Sequence, residues 1–219
     1  MYEKFGQFID GKWSPSSNNE TYEVINPATE EVLGHASKAT PADVDRALKS
    51  AEQGLQIWKK TPPWQRSYVL RKIADNLREK KDTLAKWMTL ENGKPLAEGV
   101  GETNGAADIF EWNAEETKRI FGQTIESRFE DTRVHVYYQP VGVVAALSPW
   151  NFPLILAARK ISTALAAGCS VIIKPDTITP GVVMELVDIC RECGVPPGAV
   201  NLLSGDPPTI ASQLIQSDI

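Results

Sequence analysis

Residues Val141–Pro153 read VGVVAALSPWNFP, an apolar run followed by a short turn that ends in proline. Such a run is typical of a strand buried on both faces of a parallel sheet. Pro153 suits the first turn of a helix, where its missing N–H would have no partner in any case. Apolar residues then recur at helical spacing as far as Leu165, and Gly168 is placed to close the helix. The stretch therefore predicts a β-strand that leads into an α-helix.

The same alternation continues towards residue 219. Val171–Ile173 predicts a second apolar strand, which ends in Lys174. Thr179 and Pro180 have the residue types of an N-cap and a first helical turn, and residues 199–203 predict a third strand. The β-α-β-α-β order predicts an α/β fold with right-handed crossovers.

Two polar side chains stand where predicted strands end, and α/β sheets bind ligands at such ends. Asn151 carries an uncharged amide that can donate N–H bonds to a developing oxyanion. Lys174 places a cation where the ribose or phosphate of a nucleotide would lie. A structural interpretation is equally open from these residue types, with Asn151 capping the helix and Lys174 as a solvated strand end.

A series of short motifs runs through the chain in a fixed order. They are Ile9-Asp10-Gly11-Lys12-Trp13, Asn26-Pro27-Ala28-Thr29, Glu91-Asn92-Gly93-Lys94-Pro95, Gln139-Pro140-Val141-Gly142-Val143, Pro149-Trp150-Asn151-Phe152-Pro153, Ala164-Leu165-Ala166-Ala167-Gly168, Lys174-Pro175, Thr179-Pro180 and Gly194-Val195-Pro196-Pro197-Gly198. In order and spacing they resemble the aldehyde dehydrogenase superfamily, and the resemblance covers essentially the full chain. Ala164–Cys169 is most similar to the succinate-semialdehyde dehydrogenases of that superfamily.

The resemblance implies a Rossmann-type parallel sheet with N-terminal helices and a β-hairpin oligomerisation arm. Residues 1–122 would form a hairpin and helices that pack on the cofactor domain. Residues 123–140 would form the arm that joins subunits into homodimers or homotetramers, and residues 141–219 the first part of the NAD(P)-binding domain. The cofactor sheet would be incomplete in this chain, and its third strand would lack the next neighbour that the family has, which would leave an exposed apolar sheet edge. The catalytic domain would be absent from it, since the nucleophilic cysteine and the general-base glutamate are expected beyond residue 219.

The resemblance also implies a mechanism. In the superfamily a cysteine thiolate attacks an aldehyde, an asparagine side chain holds the oxyanion, hydride passes to NAD or NADP, and a glutamate-activated water releases the acid. Asn151 matches that asparagine, and Lys174 matches the lysine that contacts the adenosine ribose. The positions that match the cofactor-binding strand end are Leu147, Ser148, Pro149 and Trp150. The alternative is a non-catalytic N-terminal fragment or a nucleotide-binding module that lacks the catalytic cysteine and glutamate.

Two further positions bear on specificity. Many NAD-dependent members have a glutamate where this chain has Thr177, and an acid there would repel the 2′-phosphate of NADP. Thr177 therefore leaves NAD and NADP as alternatives. Arg159 matches an arginine that holds the substrate carboxylate in succinate-semialdehyde dehydrogenases, a task that suits the guanidinium fork. The implied reaction is the oxidation of succinate semialdehyde to succinate, with other small acidic or aliphatic aldehydes left open.

The composition argues against other classes of function. The net charge of −5 comes without a basic tract, so no nucleic-acid partner is expected. No apolar run is long enough to cross a bilayer and the first residues show no signal-peptide pattern, so we expect a cytoplasmic protein without a membrane partner. Cys190 and Cys193 form a C-x-x-C motif without a second pair or a histidine cluster. No metal site is therefore expected.

The N-terminal part is predicted to be a hairpin followed by helices. Asp10-Gly11 is the signal of a tight hairpin turn. Thr40 and Asp43 predict the start of the first helix, and a long helix is expected from about residue 96 to residue 120. Four tryptophans are expected to pack in the core rather than to contact a ligand: Trp58, Trp64, Trp87 and Trp112.

Overall fold

The computed structural model of this protein describes residues 2–219. The strands of this region are β1 (Gln7–Ile9), β2 (Lys12–Ser14), β3 (Thr21–Ile25), β4 (Val32–Ser37), β5 (Gln123–Glu126), β6 (Arg133–Val136), β7 (Val143–Leu147), β8 (Ser170–Lys174) and β9 (Val200–Leu202). The α-helices are α1 (Pro41–Trp58), α2 (Pro63–Glu79), α3 (Lys81–Asn92), α4 (Leu96–Glu116), α5 (Pro153–Ala166), α6 (Gly181–Glu192) and α7 (Pro207–Gln216). A 3₁₀ turn, Thr117–Arg119, follows α4.

The main sheet has five strands in the order β2-β1-β9-β8-β7. β7, β8 and β9 are parallel, with Leu147 opposite Lys174 and Ile173 opposite Leu202. α5 connects β7 to β8, and α6 connects β8 to β9. All five residues of β8 are buried, as expected for a central strand that is covered on both faces. The predicted α/β class and the β-α-β-α-β order are confirmed.

The edge strands of this sheet are β2 and β7, and β9 is an inner strand. β1 pairs antiparallel with β9 through Phe8 and Leu202, and β2 extends the sheet beyond β1. The expectation that the third predicted strand lacks a neighbour is therefore wrong, because a hairpin from the other end of the sequence takes that position. An apolar edge does remain on the opposite side, where Leu147 at the end of β7 is 39% exposed.

The hairpin that closes the sheet is formed by β1 and β2. Asp10 and Gly11 both have positive φ, 53° and 74°, as a tight turn that matches the twist of the two strands requires. Phe8 lies opposite Trp13, and their rings pack at 4.9 Å between centroids. The Asp-Gly signal in the sequence thus predicted this turn correctly.

The helices pack on the sheet in two hydrophobic clusters. One holds most of the buried apolar residues of α2 to α6, and the other holds most of those of α1 and α7 together with Ile172 of β8. Of the four tryptophans expected in the core, Trp58 and Trp87 are buried. Trp64 and Trp112 are 75% and 69% exposed, so that part of the expectation is wrong. The reason is that both residues lie on the outer faces of α2 and α4, and residue type alone does not fix the face. The long predicted helix ends as α4 at Glu116 rather than at residue 120.

β5 and β6 form a separate antiparallel pair, which lies between α4 and β7 in the sequence. Gln123 lies opposite Val136 and Glu126 opposite Arg133. All residues of β5 are exposed, including the apolar side chain of Ile125. This segment lies within residues 123–140, for which the resemblance implies a β-hairpin.

Candidate functional site

The carboxyl ends of β7, β8 and β9 meet at one edge of the sheet. The N–H of Ser148 donates to the carbonyl of Lys174 at 3.0 Å, and the N–H of Leu203 donates to the carbonyl of Ile173 at 3.0 Å. The turns that follow the three strands therefore lie side by side. This is the part of an α/β sheet at which ligands bind.

Lys174 is buried at this edge. Its side chain forms no hydrogen bond or ion pair with the residues that the structure describes, and the residue is only 4% exposed. Burial lowers the pKa of its ammonium group, and the negative charges of Asp176 and Asp206 oppose that effect. The fully buried side-chain polar atoms without a partner in residues 2–219 are the hydroxyls of Ser148, Ser170 and Thr179, so the Lys174 ammonium is not fully enclosed and a ligand can reach it. Lys174 therefore fits a group that presents hydroxyls or phosphates, as a dinucleotide does.

Residues at the end of β7 and in the loop after Lys174 complete the same edge. Trp150 is 52% exposed, and Leu147 and Pro149 are also exposed. Ser148 is buried, and its hydroxyl has no hydrogen-bond partner within residues 2–219. Thr177 is half-buried in the loop that follows β8. The residues predicted to contact a cofactor thus occupy two adjacent strand ends.

The end of β9 is held by the N-terminal hairpin. The N–H of Ser204 donates to Oε1 of Gln7 at 2.8 Å, and Nε2 of Gln7 donates to the carbonyl of Ser204 at 3.0 Å. The hydroxyls of Tyr22 and Ser204 are 2.6 Å apart. Gly205 has φ +143°, and a side chain there would lie 2.8 Å from the N of Ala39. The backbone can approach so closely at this point only because the residue is glycine.

Helix α6 begins directly after the Lys174 loop, and a buried glutamate from α3 caps it. The N–H groups of Gly181 and Val182 donate to the carboxylate of Glu91 at 2.7 and 3.4 Å, and the hydroxyl of Tyr2 also donates to it. The predicted N-cap at Thr179 is wrong, because Glu91 fills that role and the buried Thr179 hydroxyl has no partner in the described chain. Burial raises the pKa of Glu91 to about 7, although the hydrogen bonds lower it.

Helix α5 is capped in the same manner by Glu102 of α4. The N–H groups of Leu154 and Ile155 donate to Oε1 of Glu102 at 2.9 and 3.1 Å. Asn151 is exposed, and its side chain forms no hydrogen bond with the described residues. The interpretation of Asn151 as the helix cap is therefore wrong. Its amide is free to donate to a ligand at the strand end.

Arg159 lies on the exposed side of α5. A groove of about 500 Å³ runs between this side of α5 and β7, and its lining includes Val144, Ala146 and Thr163 together with Arg159. Within residues 2–219 the guanidinium has no carboxylate partner, so it can take an anionic group of a ligand. Asn151 lies two residues before the start of α5, and the lining of this groove does not include it. The structure therefore does not bring Asn151 and Arg159 together in one pocket.

The cysteines do not add a nucleophile to this site. Cys169, Cys190 and Cys193 are all buried. Burial raises the pKa of the Cys190 thiol above its usual range and that of Cys193 to about 11, so neither is a thiolate at neutral pH. The described residues hold no group of three or more His, Cys, Asp or Glu side chains that could bind a metal ion. None of the described helices has both the length and the apolar character needed to span a membrane.

The family model of the aldehyde dehydrogenase family matches residues 13–219. The chain belongs to the aldehyde dehydrogenase family. It is 41% identical over 207 residues to a glutarate-semialdehyde dehydrogenase of Pseudomonas putida, a match that covers 94% of this chain and 43% of that protein. It is 39% identical over 211 residues to the NADP⁺-dependent succinate-semialdehyde dehydrogenase GabD of Escherichia coli, a match that covers 96% of this chain and 44% of that protein.

Aldehyde dehydrogenases of known structure have the same fold. The crystal structure of a succinate-semialdehyde dehydrogenase from Burkholderia pseudomallei superposes with a TM-score of 0.96 at 37% identity, over 97% of this chain and 44% of that chain. This chain therefore spans less than half the length of the relatives that it matches. Members of the family oxidise aldehydes with NAD or NADP.

The sequence patterns indicated the strand-end residues but not Glu91 and Glu102. Glu91 lies in the Glu91–Pro95 motif, which carried part of the resemblance, yet nothing in the motif itself indicates that its carboxylate reaches α6. Glu102 lies within α4 and had no sequence signal, because the partners that it caps are more than 50 residues away.

Proposed function

We propose that this chain supplies the oxyanion-binding asparagine and the cofactor-binding strand ends of an enzyme that oxidises succinate semialdehyde to succinate. The observation that carries the proposal is the presence of a free amide at Asn151 and an unpaired ammonium on the largely buried side chain of Lys174, near neighbouring strand ends within residues 2–219. One group can donate to a developing negative charge, and the other can hold a dinucleotide. The nucleophile and the general base of the reaction would come from outside residues 1–219.

Asn151 would act on the oxygen of the aldehyde. When a nucleophile adds to the carbonyl carbon, this oxygen becomes negatively charged, and the Asn151 amide donates an N–H bond to it. A single donor of this kind contributes about 3 kcal/mol to the stabilisation of the transition state. The bound cofactor would supply the hydride acceptor. Leu147, Ser148, Pro149 and Trp150 would lie along it.

Lys174 and Thr177 would position the adenosine part of that cofactor. The unpaired ammonium of Lys174 suits a ribose hydroxyl or a phosphate. Thr177 carries no charge, so a 2′-phosphate meets no repulsion there, and we propose that NADP is accepted at least as well as NAD. Thr177→Glu is then expected to lower kcat/KM with NADP at least about tenfold and to leave kcat/KM with NAD nearly unchanged. An equal loss with both cofactors would contradict this role.

Arg159 would bind the carboxylate at the far end of the substrate. Two of the relatives are named for succinate and glutarate semialdehyde, which are aldehydes with a terminal carboxylate. Glutarate semialdehyde is the second candidate substrate, since the relative named for it is 41% identical to this chain. A free guanidinium in an open groove is suited to either carboxylate.

The experiment is steady-state kinetics of the protein expressed from the complete reading frame, with succinate semialdehyde, glutarate semialdehyde and uncharged butanal. Arg159→Gln is expected to raise KM for the two semialdehydes about tenfold to a hundredfold, as for a lost charge-assisted hydrogen bond, and to leave KM for butanal unchanged. Arg119→Gln, which removes an exposed arginine paired with Glu116, is the matched control. A preference for butanal in the unmodified protein would overturn the substrate proposal.

We also propose that the protein is a cytoplasmic homodimer or homotetramer and that residues 123–140 join the subunits. The exposed apolar side chains Ile125 and Val134 on the β5–β6 pair support this proposal. Intact mass and sedimentation of the purified protein test it. A mass near 24 kDa, the mass of this chain, without turnover would favour the alternative of a non-catalytic fragment.

A further inference from the structure

We propose that Lys94, Glu102 and Asn92 are positioning residues that hold the backbone of Asn151 in place for oxyanion binding. The inference rests on the role proposed for Asn151 above. None of the three touches the reacting atoms. They act on residues 150–155, the segment that carries Asn151 from the end of β7 into α5.

This segment is held at three points by side chains from the α3–α4 region. Nδ2 of Asn92 donates to the carbonyl of Trp150 at 2.9 Å. Nζ of Lys94 donates to the carbonyl of Asn151 itself at 3.1 Å. Glu102 accepts the N–H groups that follow, at Leu154 and Ile155. The contacts therefore fix the main chain on both sides of the Asn151 side chain and leave its amide free.

Two of the three contacts are linked to each other. Lys94 and Glu102 are 7% and 6% exposed and form a buried ion pair with each other. Nζ of Lys94 also lies 4.1 Å above the ring of Phe152. Gly93 ends α3 with φ +78°, a conformation that favours glycine, and so directs the next residue towards residues 150–152. Both charges are thus buried beside the turn that carries Asn151.

Rigid placement matters here because an oxyanion donor acts only at hydrogen-bond distance from the developing charge. A displacement of about 1 Å at a catalytic group can lower the rate about a hundredfold. Loss of the Lys94 contact is therefore expected to reduce kcat and to leave substrate KM and cofactor affinity largely unchanged.

The test is a double-mutant cycle in the protein expressed from the complete reading frame. Lys94→Met alone leaves Glu102 as an unpaired buried charge, so the variant to use is Lys94→Met with Glu102→Gln, which removes both charges. It is expected to lower kcat about tenfold to a hundredfold. In an Asn151→Ala background the same pair of changes is expected to lower kcat by less than about threefold, because the donor that they position is absent.

The controls are Lys86→Met on α3 and Glu98→Gln on α4, both exposed residues of the same types in the same region. They are expected to leave kcat unchanged. If the Lys94 and Glu102 changes lower kcat by the same factor with Asn151 present and in the Asn151→Ala background, the positioning role is overturned. The proposed function would still stand in that case.

A second readout does not depend on activity. Hydrogen exchange of the amides of residues 150–152 and 154–156 is expected to become at least about tenfold faster in the charge-free variant and to stay unchanged in the controls. Unchanged exchange would overturn the inference. If the unmodified protein oxidises no aldehyde, the proposed function fails, and exchange alone then decides whether these side chains hold the segment.

Discussion

Four helices of this protein have side-chain caps, and these caps are of two different kinds. α1 and α7 are capped by residues next to them in sequence: Thr40 and Asp43 form a capping box, and Asp206 accepts the N–H of Thr209. α5 and α6, which adjoin the candidate site, are capped by Glu102 and Glu91 from other helices. The local caps need only the chain around them. The long-range caps exist only when the α3–α4 region has docked against the sheet.

The two kinds of cap also differ in their electrostatics. Burial raises the pKa of Asp43, but hydrogen bonds from Ser17, Thr40 and Arg46 outweigh it and hold that pKa below its usual range. For Glu91 burial dominates, and its pKa rises to about 7. A carboxylate at a helix start is therefore stable as an anion in α1, whereas at α6 it titrates near neutral pH. The comparison predicts different responses to mutation and to pH.

The largest expected effect on stability is at Glu102. Glu102→Leu leaves Lys94 as a buried charge without its carboxylate partner and two helix N–H groups without an acceptor. The free energy of unfolding is expected to fall by about 3–5 kcal/mol, measured by urea denaturation of the complete protein. Glu98→Leu, an exposed change in the same helix, is expected to cost less than about 0.5 kcal/mol. If both variants lowered the free energy of unfolding by similar amounts, the long-range cap from Glu102 would not be what stabilises the start of α5.

The next effect concerns the pH dependence of stability. Glu91 binds its proton more tightly in the folded protein, with a pKa of about 7 against an ordinary value of 4.5. Its stabilising contribution is therefore complete below about pH 4.5 and is lost as the pH rises through 7. The free energy of unfolding of the unmodified protein, minus that of Glu91→Gln, is expected to fall between about pH 5 and pH 8. A difference that stays flat over that range would show that Glu91 does not titrate there.

The smallest effect is expected at the local caps. Thr40→Ala removes a side-chain acceptor of α1 and is expected to lower the free energy of unfolding by about 1 kcal/mol, since water can replace the lost bond at a partly exposed helix start. Asp206→Ala at α7 is expected to cost a similar amount. If Thr40→Ala lowered the free energy of unfolding as much as Glu102→Leu, the distinction between the two kinds of cap would be wrong.

The same distinction explains what the sequence predicts well. The β7-α5-β8-α6-β9 order, the Asp10-Gly11 turn and the start of α1 depend on neighbours within a few residues, and each was predicted correctly. The pairing of β1 with β9 and the caps from Glu91 and Glu102 join residues that are far apart in the chain. Periodicity and residue type carry no information about such pairs. The strand-end residues of the site could be named, but not the side chains that hold them.

The central claim is that Asn151 presents its amide to the oxyanion of an aldehyde substrate. The most direct test is kcat of Asn151→Ala beside Asn104→Ala, an exposed asparagine of α4, in the protein expressed from the complete reading frame. One oxyanion donor contributes about 3 kcal/mol to the stabilisation of the transition state, so kcat of the Asn151 variant is expected to fall a few hundredfold. The control is expected to keep its rate. A kcat for Asn151→Ala within about twofold of the unmodified protein would contradict the account.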